Sequence, residues 1–487
     1  VKSFVLCSFF VFFSLLGIRW QEVGAQIAPL RQIEISEIAR RLDPSLISAL
    51  NLNPATAARA ALAIGRTKQT AGADALRAHL TAVDPGLRTM VVYALGLLND
   101  AASLQNVRDL AHRDPASSVR YAAVDAIGRI VAANPTLGDS TVSDDLLLAT
   151  RVDVDPIVRG HAAAQLDVFH NAPFAQSIAS ALERAMQRED DQNVRWHEMW
   201  TIARSFAPLA SRDFLIDALH DPNEVVRLEA ARAWGRRTDG DAESIVKVAL
   251  FDRSWRVQYE AREAIRRLRK QAPTDHLTAI PEGITLPPVP GPVVASVSPP
   301  PSAAPGKPKL FAPDPQYFEL ESFVAPTTAF AMNQGRPGHH ERMRIRTTKG
   351  DVTIALYREW APSTVANFIQ LAQNHYFDGN RWFRIVPDFV VQTGDPSDNG
   401  DGDAGYMIPA EENPVEERSG VIAMGLNYDK NMPERDSAGT QFYITLSPQL
   451  HLDRSFSVFG EVTDGFDVLA HLIESDRIVS VTEVSDS

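Results

Sequence analysis

The chain predicts two architectures in succession, an all-α solenoid and then a closed barrel of short β-strands. Three observations carry that expectation. A ten-residue phrase with helical spacing returns seven times before residue 270, and 13 prolines crowd into residues 273–315. Beyond Arg342 the texture changes to short runs of alternating apolar and polar residues. A period of this length marks stacked supersecondary units. A proline-dense stretch forms no helix and has few donors for a sheet. Short strands divided by turn residues point to closure rather than to an open parallel sheet.

At the N-terminus, Lys2 precedes an uncharged, mostly apolar run of 15 residues from Phe4 to Ile18, and Val23-Gly24-Ala25 supplies small residues of a cleavage pattern. The run is short for a bilayer span, which needs about 20 residues. It reads as a secretory signal over residues 1–25, with an uncleaved membrane anchor as the alternative. The protein is therefore expected outside the cytoplasm, in a bacterial periplasm. The single cysteine, Cys7, lies inside this run. A cleaved chain would hold neither a disulfide nor a catalytic thiol.

Residues 30–270 carry the repeat. "VRLEAARAWG" from Val226 has relatives at Leu87 and Val119, and weaker copies at Thr56, Val158, Val194 and Val257. Their second positions are 57, 88, 120, 159, 195, 227 and 258, spaced 31 to 39 residues apart. Alanine and aliphatic residues recur at helical spacing, and small residues such as Ala230, Ala231 and Ala233 allow close helix pairing. Four Asp-Pro pairs, at Asp84, Asp114, Asp155 and Asp221, are expected to open helices as cap and first-turn proline. The pattern looks like a HEAT-repeat solenoid. That is evidence for architecture and for a protein-binding surface, not for a reaction.

Residues 271–340 read as a semi-rigid extended linker, with a proline-motif ligand as the sharper alternative. Within it, Val293 to Val297 could add an edge strand to a neighbour, and His339-His340 lacks the further ligands of a metal site.

Residues 341–487 form the second domain. Alternation on both sides of Lys349-Gly350-Asp351 signals a hairpin. "APSTVANFIQLAQ" then reads as a helix with Pro362 in its first turn, and "GFDVLAHLIES" as a closing helix. From residue 341 onward 12 basic residues face 24 acidic ones, within a net charge of −13 for the whole chain. So acidic a domain excludes phosphate-backbone binding, and no nucleic-acid partner is expected.

Arg384 stands out, because an always-charged guanidinium is set between large apolar residues. The segments "FRIVPDFVVQTGDP" (Phe383 to Pro396), "GTQFYITLSPQLHLD" (Gly439 to Asp453) and "FSVFGEV" (Phe456 to Val462) resemble a cyclophilin in order and spacing, and "TVANFIQLA" is similar to that family's first helix. The resemblance implies an eight-stranded antiparallel β-barrel closed by two helices. It also implies peptidyl-prolyl cis–trans isomerisation with no cofactor and no metal. Arg384 matches the catalytic arginine, and Phe389 the floor of the proline pocket. Val390 and Leu452 match its apolar walls, while Gln392 and Gln441 match polar lining positions. Tyr443 stands where the family usually has phenylalanine.

Other positions depart from the pattern. His451 replaces a common tryptophan, Phe456 and Phe383 replace histidines, and Gly425-Leu426 replaces Ala-Asn. The loop Asn427 to Gly439 is several residues longer than usual. The acidic "DPSDNGDGDAG" at Asp395 fits no calcium-loop frame and reads as a solvated turn. The expectation is an isomerase acting on X-Pro bonds of exported proteins, whose solenoid binds clients or a protein partner. A non-catalytic peptide-binding scaffold or chaperone is the alternative.

Overall fold

The computed structural model describes residues 29–270, 309–310, 341–429 and 432–484. The signal run, Val293 to Val297 and His339-His340 lie outside the described residues. Among the described residues no helix is long and apolar enough to cross a membrane.

Each of the seven phrases forms one helix: α1 (Pro54–Thr67), α2 (Pro85–Leu97), α3 (Ser117–Ala133), α4 (Pro156–Gln165), α5 (Gln192–Thr201), α6 (Glu224–Trp234) and α7 (Trp255–Leu268). Consecutive members pack side by side, and partner helices such as Leu104–Arg113 and Ala175–Met186 complete the repeats. The small residues sit at the contacts: Ala60, Ala94, Ala126, Ala230 and Ala261 are fully buried. A Cβ on Gly96 would stand 3.0 Å from the Cα of Ala126, and one on Gly235 2.7 Å from the Cα of Ala264. These glycines therefore set how closely the next helix approaches.

The arginine at the second position of five phrases reaches forward to the next repeat. Arg88 pairs with Asp114, Arg120 with Asp153, Arg159 with Glu189, Arg195 with Asp221 and Arg227 with Asp252. Four of these pairs are two-pronged, for example 2.7 and 2.8 Å from Arg120 to Asp153. Each carboxylate also accepts the N–H of the residue two positions on, which is the N-cap of the next repeat helix. The result is a ladder of arginine rungs that fixes the turn between units. It corrects two of the Asp-Pro expectations. Asp84 and Asp155 do cap their helices, but α3 starts after Ala116 and α6 after Asn223, because Asp114 and Asp221 serve as rungs.

The second domain contains β2 (Arg342–Thr347), β3 (Gly350–Leu356), α8 (Pro362–Gln373), β4 (Arg384–Val386), β5 (Val390–Thr393), β7 (Val421–Met424), β10 (Phe442–Thr445), β11 (Val458–Asp464), α9 (Phe466–Leu469) and β12 (Ile478–Glu483). Eight strands form one sheet in the order β12-β2-β3-β11-β7-β10-β5-β4, every pair antiparallel. A bridge between Arg381 and Arg477 brings the two end strands together. Strand β2 alternates exposed and buried residues along its length, as a half-buried strand must. The hairpin turns at Thr348-Lys349, one residue earlier than the sequence suggests, with Thr347 opposite Gly350. The closing helix is shorter than expected, four residues, because Asp476 draws the Ile473 N–H (2.8 Å) into a turn instead. Two small pairs lie outside the sheet. β1 (Lys309–Leu310) runs parallel to β6 (Tyr406–Met407), and β8 (Tyr428–Asp429) pairs with β9 (Met432–Pro433).

Helices α1 to α7 face the barrel. Arg66, 0 % exposed, donates to the carbonyls of Glu412 (2.8 Å), Trp360 (2.7 Å) and Glu411 (3.2 Å), and to Glu37 (2.6 Å). Arg454 of the barrel sits over the Tyr121 ring of α3 and reaches Asp125 at 3.1 Å. Glu416 meets His161 of α4 at 3.0 Å. One apolar cluster runs from the solenoid through Trp360 and Val415 into Tyr443, Leu452 and Phe456. The barrel interior, around Phe368, Phe442 and Phe459, is a separate core.

Candidate active site

Register places the central side chains. Arg384 on β4 lies opposite Gln392 on β5, Gln392 opposite Tyr443 on β10, and Tyr443 opposite Ala423 on β7. Paired residues share a face of a sheet, so one arginine, one glutamine and one tyrosine form a row on the outside of the barrel. The Arg384 Nη1 stands 3.5 Å from the Gln392 Oε1, and its guanidinium lies over the Phe389 ring at 5.4 Å. The Gln392 Nε2 donates to the Gln441 Oε1 at 3.1 Å. The Gln441 Nε2 in turn donates to the carbonyls of Gly400 (2.8 Å) and Gly402 (3.1 Å). This chain fixes both amide heads and ties the groove to the loop after β5.

A cavity of about 870 Å³ opens over this row. All eleven residues singled out in the sequence line it: Arg384, Phe389, Val390, Gln392, Gly425, Leu426, Gln441, Tyr443, His451, Leu452 and Phe456. Phe389 and His451 stack at 5.7 Å with their planes 19° apart, and Tyr443 meets Phe456 edge-on at 5.6 Å. The Gly425 N–H donates to the Gln441 carbonyl (2.8 Å), and a Cβ at Gly425 would stand 3.3 Å from the Gln392 Nε2. The absence of a side chain there leaves the glutamine amide room.

Six further lining residues were not singled out as a site: Phe383, Asn399, Gly400, Asp401, Asn427 and Tyr428. Three belong to the acidic glycine-rich turn. Its fold is set by Asp395, which accepts the N–H groups of Ser397, Asn399 and Gly400. Burial works to raise the Asp395 carboxyl, but these hydrogen bonds and the Ser397 hydroxyl outweigh it and hold it below its usual value. Asn427 and Tyr428 come from the long loop whose length the sequence did reveal.

Two loops carrying cavity residues rest on the solenoid. Asp388, immediately before Phe389, has φ +57 and sits in the left-handed region. Its carboxylate is held by Arg256 of α7 at 2.5 Å, and its carbonyl accepts from Ser447 (2.5 Å) and Gln449 (3.0 Å). Leu450, beside His451, packs against Trp196 and Trp200 of α5. Beneath the cavity the Tyr443 hydroxyl donates to Glu417 at 2.6 Å. Burial pushes the Glu417 carboxyl up to about 8, so it is mostly protonated at neutral pH. Desolvation between barrel and solenoid, then the guanidiniums of Arg204, Arg232 and Arg236, push the His451 imidazole down to about 3.

Residues 342–485 match the model of the cyclophilin type peptidyl-prolyl cis-trans isomerase family, and residues 44–128 and 212–281 match HEAT repeats. A peptidyl-prolyl cis-trans isomerase of Synechococcus elongatus is 36% identical over 145 residues, 29% of this chain and 96% of that protein. Peptidyl-prolyl cis-trans isomerase 10 of Caenorhabditis elegans is 38% identical over 133 residues, 26% of this chain and 79% of that one. Peptidyl-prolyl cis-trans isomerase B of Bacillus subtilis is 37% identical over 132 residues, 27% of this chain and 88% of that one.

Proposed function

The chain belongs to the cyclophilin-type peptidyl-prolyl cis-trans isomerases, with HEAT repeats ahead of the barrel, and on that premise we propose that Arg384 catalyses rotation of X-Pro bonds held in the barrel cavity. The observation that carries the reading is the row Arg384–Gln392–Tyr443 beside Phe389: a cation and an amide next to an aromatic floor, all in one open cavity.

Rotation about an amide is slow because resonance stiffens the C–N bond, a barrier of about 18–20 kcal/mol. An X-Pro bond left alone interconverts over tens of seconds. Turnover at about 10 per second requires roughly 4 kcal/mol off that barrier. A charge-assisted hydrogen bond contributes about 1.5–3 kcal/mol, so one guanidinium with help from Gln392 reaches the required range. The prolyl ring rests on Phe389 between Val390 and Leu452, and Gln392 and Gln441 hold the flanking backbone. Arg384 then donates to the prolyl residue and favours a pyramidal imide nitrogen, whose lone pair no longer shares with the carbonyl. No nucleophile or proton shuttle takes part in these steps.

The clients we propose are exported polypeptides, a reading supported by the apolar run Phe4 to Ile18 and the small residues at Val23 to Ala25. The solenoid would bring a protein partner or client near the barrel and raise its local concentration. Fractionation of the native host with an antibody against the barrel tests the compartment, and a solely cytoplasmic signal refutes it. Exchange spectroscopy on an Ala-Pro peptide tests the reaction. Wild type should speed isomerisation, and an Arg384→Ala variant that does so equally well refutes the assignment. Peptide binding without any acceleration by the wild type would instead select the scaffold reading.

A further inference from the structure

A second cavity of about 300 Å³ lies between the barrel and the solenoid, on the other side of His451. Its barrel wall is the turn from Val386 to Phe389 with Gln449 and His451. Its solenoid wall comes from Trp200 of α5, Arg204 just beyond it, and residues of α6 and α7. Phe389 and His451 line both cavities, and their stacked rings form the sill between them. A polypeptide with its proline on Phe389 can pass over this sill directly into the solenoid cleft.

The charges in the cleft are sorted by depth. Glu229, Glu260 and Glu263 are 3%, 5% and 8% exposed. Arg232 holds the first two at 2.6 and 3.1 Å, Arg266 meets the third at 3.6 Å, and Asp388 is held by Arg256. The exposed charges are instead guanidiniums, those of Arg204, Arg236 and Arg267. Arg267 is paired with Glu260. Arg204 lies over Trp200 at 5.4 Å with Asp167 3.6 Å away, and Arg236 donates to the Ala203 carbonyl at 2.7 Å. Burial is the main reason the His451 imidazole is held below its usual value, and Arg204, Arg232 and Arg236 add to it. Carboxylates that are buried and already paired, beneath a rim of exposed cations, make a surface that receives anions.

We propose that this cleft is a second subsite for the substrate chain, which takes the segment on one side of the prolyl residue and selects an acidic side chain there through Arg204 and Arg236. The inference rests on the barrel cavity being the prolyl site. It makes the last repeats part of the substrate groove rather than a separate partner surface.

The test uses the full chain and fluorescein-labelled peptides around one Ala-Pro bond. Glu, Ala or Lys is placed two, three or four residues to either side of the proline. Anisotropy reads binding, and exchange spectroscopy reads isomerisation. At the favoured positions, all on one side, the Glu peptide should bind about 1.5-fold to fivefold more tightly than the Ala peptide, the range expected of exposed ion pairs. The Lys peptide should bind more weakly than either. In an Arg204→Ala/Arg236→Ala variant the Glu-to-Ala ratio should fall to about one, and Arg204→Lys/Arg236→Lys should retain it. A wild-type ratio of one, or a ratio unchanged in the alanine variant, overturns the proposal. Acidic preference in binding with no isomerisation would sink the catalytic reading and leave the subsite standing, and isomerisation without preference would do the reverse.

Discussion

The Arg384 guanidinium owes its aim to strand register rather than to a loop, with Gln392 opposite and Phe389 beneath. Replacing it with alanine should therefore remove a charge-assisted contact while the strand pairing stays. We expect kcat/KM to fall about 10- to 150-fold, the equivalent of 1.5–3 kcal/mol, with little change in Tm. A parallel collapse of Tm would mean the arginine is structural. The buried acids give a second prediction. Burial pushes Glu34, Glu198, Glu359 and Glu417 each up to about 8, from 4.5 for an unperturbed glutamate. Between those values the unfolded chain has released protons that the folded chain keeps, so stability falls as pH rises through this window. His197, pushed down to about 4 from 6.5 by burial, acts in the opposite sense below 6.5. The decline should thus be clearest from about pH 6.5 to 8. Denaturant midpoints measured across that range should drop, and less steeply in Glu417→Gln. A midpoint that climbs would contradict the assignment. The eleven cavity residues were legible in the sequence because they fall on strands and turns whose order and spacing are specific. Asn399, Gly400 and Asp401 were not, because only the folded Asp395 turn brings them to the rim.

At the scale of elements, the repeat was legible because alanine, valine and glycine recur where helices touch. The arginine within it was visible as a letter but not as a rung, since its carboxylate lies 25 to 33 residues away in the chain. For the same reason an Asp-Pro pair carries two meanings, cap at Asp155 and rung at Asp221, which residue spacing alone does not separate. The Arg227–Asp252 pair has side chains only 6% and 10% exposed. Arg227→Ala leaves a poorly hydrated carboxylate and frees the turn before α7, a loss of about 3 kcal/mol. Thermal unfolding followed by circular dichroism should show a Tm several degrees lower. An unchanged Tm would reduce the ladder to surface decoration. A Cβ at Gly235 would crowd Ala264, so Gly235→Ala should cost about 1–3 kcal/mol by forcing α6 and α7 apart.

For the whole molecule, what the sequence concealed is the seam. Arg66 and Arg454 look like ordinary basic residues until their acceptors, some 300 positions distant, are brought to them. With these cations buried, solenoid and barrel should melt in one calorimetric transition. Arg454→Ala leaves Asp125 and Asp453 without their shared cation, a loss of about 3–5 kcal/mol, and should split the transition in two. A single transition in that variant would mean the apolar seam suffices. Asp388, whose left-handed turn is fastened to α7, adds a consequence of its own. Should warming loosen the last repeat first, the turn beneath Phe389 would relax while the barrel was still intact. The solenoid would then act as a thermal fuse, silencing turnover some degrees before either half came apart.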